Sequence, residues 1–86
     1  MSDIESKFFF LKGIEHFNNK DFLLAENEFE KALALSPNRI SILENLAKVY
    51  FINKSYNKSE KLLNQLIDLK KDSEEIFNLK FNVLKK

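Results

Sequence analysis

His16 is the chain's one imidazole, and there is no cysteine. A catalytic or metal-binding histidine needs partners at defined distances: a carboxylate to orient it, a nucleophile to serve, or further ligands. His16 sits between Glu15 and Phe17 with no ligand set at nearby spacing. The Asp and Glu residues lie along polar faces at ordinary helix spacing. Gly13 is the only glycine, so no Gly-rich loop can cradle a phosphate. No nucleophile stands beside a base. The residues therefore predict no catalytic site, no cofactor and no metal, and the chain reads as a non-enzyme.

Charge narrows the partners. Lys plus Arg total 14 against 13 acidic residues, a net charge of +1. With a single Arg and no basic stripe, nucleic acid is not an expected ligand. The pairs Lys70-Lys71 and Lys85-Lys86 read as solvated helix ends, where cations complement the helix dipole. The opening "MSDIESK" has no basic segment followed by an apolar run, so it does not read as a secretory signal. No stretch is long and apolar enough for a membrane span. A soluble, cytoplasmic domain is expected, with no membrane partner and no small-molecule substrate.

The elements that must position the side chains are helices. One Gly and one Pro in 86 residues leave little turn material for a β fold. Helical periodicity predicts helices over about 4–18, 22–35, 39–52, 56–69 and 73–85. "NNKD" separates the first two, with Asp21 as the expected N-cap. "SPN" ends the second at Pro37. "NKS" precedes the fourth, with Ser55 as its cap. Asp72 and Glu75 have capping-box spacing before the fifth.

Shifted by 34 residues, the chain matches itself. Phe9 falls on Leu43, Gly13 on Ala47, His16 on Tyr50 and Phe17 on Phe51. Asn19-Lys20 falls on Asn53-Lys54, Phe22 on Tyr56, Ala25 on Ser59 and Phe29 on Leu63. Small residues meet small ones, and aromatics meet aromatics or leucine. Gly13 and Ala47 mark the close crossing of two helices, faced by Ala25 and Ser59.

Phe9-x2-Lys12-Gly13-x2-His16, then Ala25-x3-Phe29, then Pro37 resembles the tetratricopeptide repeat, with Lys12 as its departure from that pattern. The second unit reads Leu43-x2-Leu46-Ala47-x2-Tyr50, then Ser59-x3-Leu63. The resemblance implies an all-α fold, a right-handed superhelical α-solenoid of antiparallel helix pairs. It divides a single domain, 1–86, into unit one at about 6–39, unit two at about 40–73 and a terminal helix at about 73–85. It also implies a protein or peptide partner held in a concave groove.

The register assigns the run Phe8-Phe9-Phe10 by 100° steps. Phe9 faces its own second helix, with Gly13 and His16. Phe10, Ile14 and Phe17 form a neighbouring ridge that the resemblance places along the groove. Helix three adds Ser41, Glu44, Lys48, Phe51 and Ile52. Phe10 and Ile14 are expected to face the groove, whereas Phe17 and Phe51 are expected to pack between helices one and three. Only Asn45 matches the basic clamp by which some relatives hold acidic chaperone tails, which argues against that ligand. Phe8 points away with Lys12 and Glu15. Their equivalents Ile42, Leu46 and Val49 are apolar, as stacking on a preceding unit requires. The polar exchanges read as the solvent face of a first unit.

In the fifth helix, Phe77, Phe81 and Leu84 fall where a following helix would normally cover them. A symmetric dimer, a longer array or a rotation onto the chain's own domain would each cover them. A binding adaptor and a structural homodimer are thus the two functional alternatives.

Overall fold

The computed structural model describes residues 2–70. They form four helices: α1 (Ser2–Asn18), α2 (Phe22–Leu35), α3 (Ile40–Ile52) and α4 (Tyr56–Lys70). Among the described residues there is no strand. The helices pack in chain order, α1 on α2, α2 on α3 and α3 on α4. All four lie within two residues of the periodicity's expectation. The fifth helix expected over 73–85, with Phe77, Phe81 and Leu84, lies outside the described residues, as does the Asp72–Glu75 capping box.

The two helix hairpins turn in the same way. After α1, the Lys20 N–H donates to the Phe17 carbonyl (2.9 Å) and the Asp21 N–H to the His16 carbonyl (2.8 Å). After α3, Lys54 donates to Phe51 (3.0 Å) and Ser55 to Tyr50 (2.7 Å). This is the Schellman pattern, which needs a left-handed residue one step past the C-cap. Lys20 (φ 64°) and Lys54 (φ 66°) are those residues. The repeat thus conserves a backbone conformation between its two copies as well as a sequence.

Asp21 departs from its expected role. It flanks α2, but its side chain makes no cap hydrogen bond. A connection this short commits its N–H to the end of α1, while its carbonyl accepts from Ala25 (2.9 Å). Its contribution to both helix ends is made by the backbone. Between the units, the Ser36 N–H closes α2 on the Ala32 carbonyl (3.0 Å) and Arg39 donates to Ser36 (3.2 Å). Pro37 lies in this turn, where its missing N–H is not needed.

Two buried clusters fill the core. Leu43, Ala47, Leu63 and Leu66 join α3 to α4. Ala25, Phe29, Leu46, Val49 and Tyr50 join α2 to α3. Ile42, Leu46 and Val49 are fully buried, as expected for the face that stacks on unit one. Burying such side chains contributes roughly 1.5–3 kcal/mol each. At the crossing of α1 and α2, the backbone at Gly13 lies against the Phe29 ring.

Polar groups inside the stack are paired. Ser6 Oγ donates to the Ala32 carbonyl (3.1 Å) and Ser59 Oγ to the Ala47 carbonyl (2.9 Å). Between the units, Tyr50 Oη donates to Glu30 Oε2 (2.5 Å). Asn53 Nδ2 lies 2.8 Å from Glu26 Oε1 and 3.3 Å from the Phe22 carbonyl.

Candidate functional site

Among the described residues no group of His, Asp and Glu could hold a metal ion. Glu28 Oε1 is buried without a hydrogen-bond partner, and its sister oxygen is 3.9 Å from Lys31 Nζ. One carboxylate beside one exposed ammonium supplies no acid–base relay. The Tyr50 phenol is pushed well above its ordinary range by burial, then by its hydrogen bond to Glu30 and the charges of Glu30 and Glu26. That phenol stays protonated and acts as a donor that joins the units.

The expected groove residues lie on α1 and α3. Phe10, Ile14 and Phe17 are half-buried on α1, and each packs against the α2–α3 cluster. The Phe10 ring tilts against Phe29, with centroids 5.7 Å apart. Each therefore puts one side into the core and leaves the other at the surface. On α3, Glu44, Lys48 and Phe51 are also half-buried, and Glu44 and Lys48 each engage another group.

Phe17 packs towards α3 as well as α2, whereas Phe51 packs against the α3–α4 cluster. Phe17 meets Phe22 edge-on (5.3 Å, 75°), and Phe51 meets Tyr56 edge-on (5.3 Å, 63°). Each therefore meets the first residue of its own unit's second helix, one period apart. The short hairpin turn brings those two rings together. This edge-to-face geometry is the favoured one for aromatic pairs.

Leu11, outside the expected groove, and Ile52, which the register places in the groove on helix three, are more exposed than the ridge residues. Leu11 on α1 is 54% exposed and Ile52 at the end of α3 is 41% exposed. Leu11 lies about 60° beyond Ile14 around the helix, close to Lys7 and Asn18. Its three-residue spacing from Ile14 was the available signal.

The run of three phenylalanines resolves as the register implies. Phe9 turns towards α2, where Lys31 Nζ lies 5.5 Å from its ring centroid. Phe10 reaches Phe29. Phe8 is exposed on the opposite side, with Lys12 Nζ 5.7 Å from its ring centroid.

Helices paired across short turns of the same backbone conformation, repeated after 34 residues, define a helical-repeat protein. A family model for the tetratricopeptide repeat matches residues 16–80, about three quarters of the chain. The chain belongs to that family. The match takes in α2, α3, α4 and the last turn of α1. Members of this family are generally modules for contact between proteins. No helix of the described residues is long and apolar enough to cross a membrane.

Proposed function

We propose that this chain is a non-catalytic, cytoplasmic interaction module that holds a peptide or helix of a partner protein on the face formed by α1 and α3. One observation carries the reading. Phe10 and Ile14 are anchored in the core on one side and leave apolar surface on the other. Such residues form a rigid platform, because their rotamers are fixed before a ligand arrives. Phe17, Glu44, Lys48 and Phe51 extend the platform across the two helices. Ile52 adds an exposed apolar contact at the end of α3. An amphipathic segment with two or three apolar anchors suits such a surface.

The test uses peptides selected by display against the full chain, titrated into labelled protein and followed by amide chemical shifts. Shifts centred on Ile14, Glu44, Lys48 and Ile52 are expected. Ile52→Lys with Lys48→Glu should weaken the selected peptide at least tenfold with the helical content unchanged. Shifts confined to the outer faces of α2 and α4 would overturn the reading.

A further inference from the structure

Independently of that platform, α1 carries a second apolar row on its outward side. Ile4, Phe8 and Leu11 are 77%, 55% and 54% exposed. With Glu15 they are spaced by 4, 3 and 4 residues, the 3.5-residue seam of helices that pair along their length. The row is centred about 150° from the side that faces Gly13 and α2, so the other described helices leave it uncovered. It overlaps the stacking face used between units, since Phe8 and Glu15 correspond to Ile42 and Val49, but its centre is turned about 40° from that face, towards Ile4 and Leu11. One period later that face is Ile42–Leu46–Val49, whereas Lys12 and Glu15 replace the last two residues here.

The residues flanking the seam decide what fits it. On one side lie Glu5 and Lys12; on the other lie Lys7 and Ile14. When two copies of such a helix run antiparallel, like flanks face each other. With Phe8 of each copy opposite Leu11 of the other, Glu5 of each comes beside the other's Lys12. The same register brings Lys7 alongside Ile14, where its methylene stem can cover apolar surface. Ile4 meets Glu15 at the ends of the seam, where the carboxylate reaches water. Every contact occurs twice under one two-fold axis, as a closed symmetric dimer requires. A parallel arrangement would lose the Glu5–Lys12 pairing.

We infer that the exposed row Ile4–Phe8–Leu11 is a docking surface for a second copy of this chain, paired antiparallel through α1 with reciprocal Glu5–Lys12 contacts. This interface is small and weak, with a dissociation constant between about 10 µM and 1 mM. It leaves α3 and the Phe10–Phe17 side of α1 clear of the pair, with Ile14 at its edge. Two copies would thus present two binding platforms together.

The test is the mass in solution of the full chain, by sedimentation equilibrium from about 5 µM to about 2 mM, a range that spans the expected affinity. The mass should rise from 10.2 kDa towards twice that value. Leu11→Lys should hold it at the monomer mass. Glu5→Lys and Lys12→Glu should each weaken association roughly tenfold, because each sets two like-charge contacts in place of two attractive ones. The combined Glu5→Lys/Lys12→Glu variant should recover most of the affinity. Circular dichroism of each variant reports whether the helices persist, and these surface substitutions should leave them intact. A chain that stays at 10.2 kDa throughout would overturn the inference. A dimer indifferent to Leu11→Lys but abolished by Phe77→Glu/Phe81→Lys would also overturn it, and would place self-association in the C-terminal segment. A combined charge variant as weak as the single ones would overturn the antiparallel register.

Discussion

A Cβ atom added to Gly13 would lie 2.5 Å from two ring carbons of Phe29 and 3.0 Å from a third. No real side chain tolerates the closer distance, and the Phe29 ring is fully buried, so it has little room to withdraw. Unit two solves the same crossing with Ala47 and Leu63, both buried in one cluster. The larger residue on one helix is thus matched by the smaller on the other.

Gly13→Ala should therefore destabilise the chain. Overpacking of a core costs about 1–3 kcal/mol, and the better helix propensity of Ala returns about 1 kcal/mol. A net loss of up to about 2 kcal/mol is expected from urea unfolding. Adding Phe29→Leu, which reproduces the pair of unit two, should give a favourable coupling of at least about 1 kcal/mol in the double-mutant cycle. Additive effects would contradict the matching.

The two left-handed lysines offer the opposite effect. A residue with a Cβ in that conformation carries roughly 1–2 kcal/mol of strain. Glycine removes it but adds about 0.5–1 kcal/mol of unfolded-state entropy. Lys20→Gly and Lys54→Gly should each stabilise by about 0.5–1 kcal/mol, read as a raised urea midpoint. The same substitution at Lys58, inside α4, should destabilise by a similar amount.

The Tyr50–Glu30 contact predicts an alkaline limit. The Tyr50 phenol ionises less readily in the folded chain than in the unfolded one. The raised value means that its contribution is complete below the unfolded phenol's value of about 10 and declines above it. Below that pH, Tyr50→Phe should cost about 1–2 kcal/mol for a lost bond to a half-exposed carboxylate. The gap between the two proteins should narrow as pH rises past about 10. A gap independent of pH would show that the hydroxyl's proton is not linked to folding.

Asn53 and Asn19 are equivalent in the repeat but unequal in the structure. Asn53 bridges to Glu26 and to the Phe22 carbonyl, whereas Asn19 is exposed at the first hairpin. Asn53→Ala should lose about 1–2 kcal/mol. Asn19→Ala should stay within about 0.5 kcal/mol of wild type. Thermal unfolding of the two variants side by side separates a role in the turn from a role between units.

The parts of this fold that were legible in the sequence are those written in spacing. The 34-residue register brought Gly13 onto Ala47 and Ile42, Leu46 and Val49 onto one buried face. Pro37 and the two Asn-Lys pairs placed the helix ends. The illegible parts depend on backbone geometry or distant partners. Lysine carries no signal for a positive φ. Ser6 falls on the inward side by register, but nothing in its type reports the Ala32 carbonyl that accepts its hydroxyl. The Tyr50–Glu30 contact joins residues 20 apart, and helical periodicity within either helix cannot report it. On the candidate site, the ridge Phe10–Ile14–Phe17 was legible. The exposure of Leu11 was not, because it depends on the angle at which α1 crosses its neighbours.

The buried residues are unevenly shared among the helices. α3 alone contributes Ile42, Leu43, Leu46, Ala47, Val49 and Tyr50, whereas the buried residues of α1 are Ser6 and Gly13. The repeat looks symmetric in sequence, but its resistance to opening is graded along the chain. Deuterium should enter the amides of α1 first and those of α3 last, the slowest by global unfolding. The helix that carries both the platform and the outward row is then the one closest to local melting. A molecule that binds there can register its presence as slowed exchange in α1, with no change in the time-averaged shape.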